Sequence, residues 1–259
     1  AAAAGKLGGP VLLTPANALP GSVKSELSRL KPQRVVVLGG TGSVSTKVES
    51  QAKSYAGSVS RQGGENRYDT AVAVSKVTYP SAGVPVVYLA NGLNFPDALS
   101  GAAAAGKLGG PVLLTPANAL PGSVKSELSR LKPQRVVVLG GAGSVSTKVE
   151  SQAKSYAGSV SRQGGANRYD TAVAVSKATY SSAGVPVVYL ANGLNFPDAL
   201  SGAAAAGKLG GPVLLTPANA LPGSVKSELS RLKPQRVVVL GGTGSVSAKV
   251  AADVSAYVR

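Results

Sequence analysis

The chain contains no cysteine, histidine, methionine or tryptophan, and its 259 residues include only 11 Asp and Glu against 27 Lys and Arg. Without His and Cys, the usual ligand sets of zinc and iron–sulfur sites cannot form, and a Ser-His-Asp triad, a thiol nucleophile and disulfide bonds are excluded. The longest uncharged apolar run, residues 84–90, is too short to cross a bilayer. The composition therefore predicts no metal, no cofactor and no membrane insertion.

Other kinds of catalytic chemistry also lack their residues. Serine is abundant, but the chain has neither a G-x-S-x-G elbow nor an S-x-x-K motif beside a K-T-G box. The few acidic residues are spread along the chain, so the sequence does not indicate the pair of close carboxylates that a glycosidase requires. The sequence predicts a protein that is not an enzyme.

The chain is built from near-identical copies of one segment. Residues 1–57 recur at 102–158 with a single change, and residues 58–101 recur at 159–202 with three changes, which gives a period of 101 residues. A period of this length matches a small domain and exceeds that of a solenoid unit. The predicted units are the C-terminal part of an incomplete first repeat, a complete second repeat and a complete third, terminal repeat, at residues 1–57, 58–158 and 159–259.

The copies diverge at the end of the third one. Glu49 and Glu150 correspond to Ala251 there, and the threonine three positions earlier is also lost. In the first two copies, Thr-Lys-Val-Glu at a helix start predicts a capping box, in which Thr46 and Glu49 bond to backbone amides. Loss of both residues is typical of a terminal copy without a following neighbour, so we expect Arg259 to lie near the natural C-terminus.

Predicted strands and helices alternate within each copy. In the second copy, short apolar runs bounded by glycine or proline indicate buried strands, and helices begin at cap residues between them. The predicted strands are 59–61, 84–90, 111–115 and 135–139. The predicted helix starts are Asp69 or Thr70, Asp97, Ser123 and Ser146. This alternation predicts the fold class α/β, as tandem Rossmann-like modules that each contain a small, mainly parallel sheet with helices on both faces.

One candidate ligand site lies at the end of the second predicted strand. Asn-Gly-Leu-Asn-Phe-Pro-Asp at 91–97 combines two amides, an aromatic ring and a carboxylate where parallel sheets place their ligands. Asp97 would equally serve as a helix cap, since Asn and Asp are ordinary turn residues. Two arginines bracket Gly63-Gly64 and offer guanidinium forks for an anion. The candidate ligand-binding residues, with their equivalents in the third repeat, are Arg61, Arg67, Asn94, Asp97, Arg162, Arg168, Asn195 and Asp198.

A glycine loop follows the last apolar strand of every copy, as in Val-Leu-Gly-Gly-Thr-Gly-Ser at 37–43. Loops between a strand and a helix can bind an anion through free backbone N–H groups. The loop lacks G-x-G-x-x-G spacing and a Walker-type Lys-Ser/Thr pair, which disfavours a nucleotide. A tight turn without a ligand and a site for another anion both stay open. The candidate anion-loop residues are Gly39, Gly40, Gly140, Gly141, Gly241 and Gly242.

Positive charge is distributed over the copies. Residues 1–57 hold seven basic and two acidic residues, 58–158 hold ten and five, and 159–259 hold ten and four. Such a field attracts polyanions. Nucleic acid is disfavoured because nine Tyr and two Phe form no stacking platform, and no amphipathic helix with bulky apolar anchors indicates membrane binding. An anionic polysaccharide is the expected partner.

Four motifs occur in one order in each full copy: Arg-Gln-Gly-Gly-x-Asn-Arg-Tyr-Asp-Thr, Asn-Phe-Pro-Asp-Ala-Leu-Ser, Pro-Val-Leu-Leu-Thr and Val-Leu-Gly-Gly-x-Gly-Ser-Val-Ser. They resemble the cell wall binding repeat of type 2. The resemblance implies non-catalytic anchoring of S-layer proteins, amidases and other secreted proteins to the Gram-positive cell wall through anionic secondary wall polymers. It also implies an extracellular location and three modules in a pseudo-threefold triangle, each with a Rossmann-like or Toprim-like core.

The first repeat departs from this pattern, because it lacks the arginine-containing helix and the Phe-Pro-Asp strand end. Two of its four expected strands are missing, so residues 1–57 are expected to pack against adjacent repeats or a symmetry-related chain. The high identity between copies also suits a longer array. The alternative function is therefore a structural repeat protein that assembles into a surface fibre, filament or layer.

Overall fold

The computed structural model describes residues 1–259, in which helices and strands alternate from residue 21 to residue 255 and one further helix precedes them. The helices are α1 Ala2–Leu7, α2 Gly21–Leu30, α3 Thr46–Lys53, α4 Arg67–Thr78, α5 Pro96–Leu108, α6 Gly122–Leu131, α7 Thr147–Ala153, α8 Arg168–Thr179, α9 Pro197–Leu209, α10 Gly223–Leu232 and α11 Ala248–Ser255. The strands are β1 Arg34–Leu38, β2 Ser58–Gln62, β3 Val86–Asn91, β4 Val112–Thr115, β5 Arg135–Leu139, β6 Ser159–Gln163, β7 Val188–Asn192, β8 Val213–Thr216 and β9 Val237–Val239. A single 3-10 turn, Lys154–Tyr156, follows α7. No helix is both long and apolar enough to span a membrane.

The strands form three sheets, one for each repeat. In the second repeat the strand order is β4-β3-β5-β6, in the third it is β8-β7-β9, and in the first β1 pairs with β2. Every pairing between neighbouring strands is parallel. Parallel neighbours need a crossover connection, and the helices between successive strands supply it.

The two faces of the central strand β3 contact different helices, because successive side chains of a strand point to opposite faces. Val87 and Leu89 join a cluster with α6 and α7, whereas Tyr88 and Ala90 join a cluster with the Ala-rich helix α5. All residues of β3 are buried, as expected for a strand covered on both faces. These short parallel sheets, flanked by helices in each repeat, confirm the predicted fold class.

The sheets of the first two repeats take their last strand from the following copy. Strand β6, at the start of the third sequence copy, pairs with β5 in a register that runs from Arg135–Ser159 to Leu139–Gln163. Strand β2 pairs with β1 in the same way. The boundary predicted after residue 158 therefore separates two neighbouring strands of one sheet. The division into three domains stays a prediction.

Helices α1, α5 and α9 occupy equivalent positions in the three copies, and each contacts the other two. Their sequence is rich in alanine and glycine, so the backbones approach closely. A Cβ atom built on Gly207 would lie 3.2 Å from the carbonyl oxygen of Ala103, and one built on Gly5 would lie 3.0 Å from that of Ala204. The three copies are thus arranged around one shared helical centre.

The start of helix α4 differs from the predicted one. Asn66 caps this helix, and its Oδ1 accepts hydrogen bonds from the amides of Tyr68 and Asp69 at 2.9 and 3.0 Å. The caps predicted at Asp69 or Thr70 are wrong, because both residues lie inside the helix. An asparagine with extended backbone further upstream already satisfies the first free amides.

Candidate functional site

Two loops meet at the carboxyl edge of each full sheet. Asn91, the last residue of β3, donates a hydrogen bond from Nδ2 to the carbonyl oxygen of Ser144 at 2.6 Å. Its Oδ1 accepts a hydrogen bond from the amide of Leu93 at 2.8 Å. Asn192 makes the equivalent pair of bonds in the third repeat. Each asparagine therefore holds the loop after the central strand against the glycine loop of the neighbouring strand.

Asp97 is buried between these two loops. Its Oδ2 accepts a hydrogen bond from the hydroxyl of Ser144 at 2.9 Å. The cap role considered for Asp97 is wrong, because Phe95 occupies the cap position of α5 and Pro96 begins the helix. Proline suits the first helical position because the amide hydrogen it lacks would have no partner there. The Asp97 carboxylate is thus free to face the glycine loop.

The surroundings of Asp97 come from two repeats. Burial raises the pKa of the Asp97 carboxyl, while the hydroxyls of Ser144 and Thr171 and the guanidinium of Arg168 act in the opposite direction. Thr171 and Arg168 belong to helix α8 of the next repeat. The equivalent carboxylate in the third repeat, Asp198, is only half-buried. The junction between the second and third repeats therefore forms one composite site.

Gly140 lies beside the Asp97 carboxylate and begins the glycine loop. Its φ is 85°, and a Cβ atom there would collide with Asp97 Oδ2, so no other residue fits without a shift. Gly39 and Gly241 share the left-handed conformation, with φ values of 93° and 90°. A carboxylate beside the loop repels an anion, so the geometry in the full repeats favours a tight turn. Anion binding at the six loop glycines stays a prediction.

Arg61 and Arg162 are engaged within the chain. Nε and Nη2 of Arg162 donate to Oε2 of Glu150 at 3.0 and 2.6 Å, and Nη1 donates to the carbonyl of the glycine loop at 2.8 Å. Arg61 makes the equivalent bonds to Glu49 and to the preceding glycine loop. Each ion pair connects the last helix of one copy with the first strand of the next. This geometry favours a structural role for both arginines over ligand binding.

The same ion pair involves a position at which the third copy differs from the first two. The capping box predicted for Thr46 and Glu49 is wrong, because Ser45 caps α3 and Glu49 binds Arg61. Glutamate is present in the two copies that an arginine follows 12 residues later. The third copy carries Ala251 at the equivalent position. Comparing the copies with this spacing in mind would have identified the pair from the sequence.

Arg67 and Arg168 begin helices α4 and α8 and reach the loop of their own sheet. Their Nη1 atoms donate to the carbonyl oxygens of Gly92 and Gly193 at 2.6 and 2.7 Å. No other side-chain hydrogen bond of either guanidinium is formed within the chain. Arg67 is exposed, and Arg168 is half-buried. Both arginines therefore keep N–H donors available at the ends of the central strands.

Asn94 and Asn195 lie exposed in the loops that these arginines contact. The next residues, Phe95 and Phe196, bring the two loops together, with ring centroids 5.4 Å apart. Arginine, amide and backbone groups are thus gathered at equivalent strand ends of two repeats. Guanidinium groups suit phosphate and carboxylate, and amides suit hydroxyl groups.

These features define a tandem α/β repeat protein whose two complete copies present the same set of polar loops. The family model of cell wall binding domain 2 (CWB2) matches residues 1–49, 61–150 and 162–251. The chain belongs to this family, as the resemblance found in the sequence indicated. Membership assigns the chain to the cell wall or cell surface, which confirms the expected location.

Two curated relatives come from Bacillus subtilis (strain 168). N-acetylmuramoyl-L-alanine amidase LytC is 35% identical over 190 residues, which cover 73% of this chain and 37% of that protein. An amidase enhancer is 32% identical over 247 residues, which cover 95% of this chain and 33% of that protein. The chain therefore spans only about a third of the length of these relatives.

Two cell wall proteins of Clostridium difficile have similar structures. Cwp6 superposes with a TM-score of 0.90 at 28% identity, over 98% of this chain and 41% of that one. Cwp8 superposes with a TM-score of 0.84 at 24% identity, over 99% of this chain and 45% of that one, and this second likeness shows the fold alone. The predicted tandem α/β fold is confirmed.

Proposed function

We propose that the chain is a non-catalytic anchoring module that binds anionic secondary polymers of a Gram-positive cell wall. The observation that carries this proposal is the pair Arg67 and Arg168, which lie at equivalent strand ends with N–H donors left over for a ligand. A guanidinium can bind phosphate or carboxylate through two parallel hydrogen bonds. Asn94 and Asn195 offer amides for sugar hydroxyls in the same loops. The Asp97 carboxylate would hold the loop after β3 and the glycine loop in position through its hydrogen bond from the Ser144 hydroxyl.

The charge distribution favours a long polyanion over a single small anion. The chain carries a net charge of +16, and every copy has its own basic surplus. A repeating polymer would contact several copies at once, and linked sites raise the overall affinity through effective concentration. Charge interactions at the surface are screened within about 8 Å at physiological ionic strength, so added salt should weaken binding.

A binding role without catalysis is also consistent with the composite site. The hydroxyls of Ser144 and Thr171 lie beside Asp97, but the chain contains no imidazole that could act as their base. The names amidase and amidase enhancer describe whole proteins, of which this chain corresponds to about a third. We therefore assign polymer binding to the chain and no reaction.

The test compares two double variants that lose the same charge. Arg67→Ala with Arg168→Ala removes the proposed ligand arginines, whereas Lys53→Ala with Lys154→Ala removes two exposed lysines at equivalent positions of two copies. Both variants and the parent are measured for binding to purified cell walls and to walls stripped of secondary polymer. Thermal melting shows whether each variant is folded.

We expect the arginine variant to bind intact walls at least about tenfold more weakly, since hydrogen bonds to charged groups contribute about 1.5–3 kcal/mol each. The lysine variant should lose roughly twofold, as expected for exposed charges. Equal small losses would reduce the interaction to non-specific adhesion. Undiminished binding of the parent to stripped walls would eliminate the anionic polymer as the ligand.

A second function, assembly, is favoured by the way in which one copy joins the next. Further copies could be added through strand pairing of the kind seen between β5 and β6 and through an ion pair equivalent to Glu150–Arg162. A fibre, filament or layer would then form through adjacent repeats of the same chain or of neighbouring chains. Sedimentation at increasing concentration separates the two functions. A monomer that binds walls supports anchoring, whereas polymers that grow without added wall support assembly.

A further inference from the structure

An open cavity of about 510 Å³ lies at the amino edge of the second repeat's sheet, opposite the candidate ligand loops. One wall is the end of α6, with Ser129, Lys132 and Pro133, and the other is the segment 155–158 that leads into β6. The amide of Gly158 donates to the carbonyl oxygen of Pro133 at 3.4 Å, where the pairing of β5 with β6 begins. Main-chain hydrogen bonds therefore hold the two walls together. The volume falls within the range of about 300–1,000 Å³ that is typical of small-molecule sites.

The polar side chains that line this cavity have no partner within the chain. The ammonium group of Lys132 forms no ion pair, and the hydroxyls of Ser129, Ser155 and Tyr156 form no hydrogen bond. No carboxylate lines the cavity. The Tyr156 ring packs against the core on one side and is half-buried, so part of it faces the cavity.

This set of groups fits a sugar with a negative charge. The lysine ammonium is a compact charge that binds phosphate or carboxylate. Serine and tyrosine hydroxyls both donate and accept hydrogen bonds, as sugar hydroxyls require. An aromatic ring with a polar tip offers an apolar surface beside these groups. The lining therefore favours a saccharide unit over an apolar ligand.

The backbone of Lys132 has a conformation that usually selects glycine. Its φ is 42°, in the left-handed region, at the C-cap of α6. Lys31 and Lys233 share this conformation, and the three lysines are the only residues other than glycine with positive φ. A Cβ atom is unfavourable there, so glycine would suit the backbone better. The lysine side chain therefore has a use, either with the helix dipole or in the cavity.

Comparison of the copies provides an internal control for these two uses. The first copy has the same polar lining residues, namely Ser28, Lys31, Ser54 and Tyr55. The third copy keeps the lysine and the tyrosine but carries Ala256 and Arg259 in place of the serine and the glycine. The conformation of the lysine is thus common to all copies, whereas the complete lining is not.

We propose that this cavity binds a sugar unit that carries a phosphate or carboxylate group. Lys132 would contact the anionic group, the serine hydroxyls would bind sugar hydroxyls, and the Tyr156 ring would cover one face of the sugar. The site goes beyond polymer binding at the arginine loops, because it lies at the opposite edge of the sheet and uses other residues. Two sources share this chemistry: a unit of the wall polymer and a free sugar phosphate.

The nine tyrosines of the chain serve as reporters for the test. The full chain, labelled with carbon-13 in its tyrosine rings, is titrated with glucose 1-phosphate and followed by NMR. Single tyrosine-to-phenylalanine substitutions assign the signals. We expect a saturable shift of the Tyr156 signal, with Tyr55 following it and Tyr257 unchanged.

Two other tyrosines report separately on the arginine loops. The rings of Tyr68 and Tyr169 lie against Gly92 and Gly193, whose carbonyl groups bind the arginines. A ligand at those loops would move the signals of Tyr68 and Tyr169 and leave Tyr156 in place. Binding at the cavity and binding at the loops are therefore distinguished in one spectrum.

Three further probes define the ligand. Glucose should bind at least about tenfold more weakly than glucose 1-phosphate, because it lacks the group that forms a charge-assisted bond with the lysine. Inorganic phosphate should bind at least about threefold more weakly, because it lacks the sugar hydroxyls. Soluble polymer released from cell walls is then added to the complex. Displacement of glucose 1-phosphate assigns the sugar to the polymer, and persistence of the complex assigns it to a free sugar phosphate.

Matched variants separate the cavity from the helix dipole. Lys132→Gly and Lys233→Gly remove the same charge from the same conformation, and neither should lower the melting temperature because glycine suits this backbone. Only Lys132→Gly should weaken binding at Tyr156, by at least about tenfold. Ser155→Ala, which introduces the residue present in the third copy, should weaken it roughly threefold without a change at the helix end.

The proposal is overturned if the Tyr156 signal does not shift saturably, or if glucose or inorganic phosphate binds as tightly as glucose 1-phosphate. Retained affinity in Lys132→Gly, or an equal loss in Lys233→Gly, would also overturn it. Shifts confined to Tyr68 and Tyr169 would leave the arginine loops as the binding site and eliminate the cavity. A shift of Tyr156 in a chain that does not bind walls would refute the anchoring function and support the cavity.

Discussion

Replacing Glu150 by alanine tests whether the ion pair between copies stabilises their junction. One oxygen of this carboxylate accepts two hydrogen bonds from Arg162, and the two side chains are 23% and 21% exposed. The third copy carries alanine at the equivalent position of α11, so the substitution itself is compatible with the helix. Any loss of stability therefore reports on the contact with the next copy.

The expected magnitude follows from the partial burial of the pair. Hydrogen bonds to charged groups contribute about 1.5–3 kcal/mol, and exposed ion pairs contribute about 0–1 kcal/mol. The pair lies between these limits and Arg162 keeps its bond to the glycine loop, so we expect a loss of about 1–2 kcal/mol. For a chain of this size, the melting temperature should fall by about 3–6 °C.

The assay is thermal melting of Glu150→Ala, Arg162→Ala and the double variant, which together give the coupling energy of the pair. Glu26→Ala is the matched control, because it removes an exposed pair with Arg29 inside one helix. We expect little change in the control. A melting temperature of Glu150→Ala equal to that of the control, or strictly additive effects in the double variant, would refute the reasoning.

Two further predictions concern Asp97 and a buried glycine. Unfolded aspartate titrates near about 3.9, and burial raises the pKa of Asp97 in the folded chain. Folding therefore favours the protonated form, and this stability is lost as pH rises through the raised pKa. Asp97→Asn should thus melt higher than the parent at neutral pH, with a difference that widens from acidic to neutral pH; a constant or narrowing difference would contradict this. Gly110→Ala should cost more than about 3 kcal/mol, because its Cβ would overlap the carbonyl oxygen of Val86. In Gly122→Ala the new Cβ meets no atom within 4 Å, so the melting temperature should stay nearly unchanged. Equal melting temperatures of the two variants would contradict the prediction, because the backbone at Gly110 would then relax at little cost.

The fold could be predicted because its signals are local or periodic. The apolar runs of β3 and β5 are unbroken, and the internal repeat gives the element order several times over. The residue at which each structural unit begins and ends within the period could not be predicted. Strand β6 is a short, half-exposed segment of mostly polar residues, so nothing in its sequence says which neighbouring strand it joins. A period fixes the length of a unit and leaves its starting point undefined.

The candidate site could be predicted only in part. The motif after β3 does lie at the carboxyl edge of the sheet, as parallel topology requires. Arg61, however, lies two residues before Gly63, and Arg67 lies three residues after Gly64, so the sequence alone does not distinguish their roles. They differ because Glu49 and a loop carbonyl lie beside Arg61, whereas a single carbonyl lies beside Arg67. That difference depends on contacts across a copy boundary, which the order of residues within one copy does not encode.

The first strand of each full copy pairs with the sheet of the preceding copy, and this has a consequence for how such an array can be cut or lengthened. A fragment that ends after residue 158 would lose β6 and leave the edge of β5 bare, whereas one that ends within 164–167 would keep its sheet whole. Recombination between copies, in contrast, can occur at any position without separating β6 from β5. Because equivalent positions are rejoined, deletion or duplication of any 101 consecutive residues restores the same junction. The gene could therefore change its copy number at any breakpoint without exposing a new sheet edge.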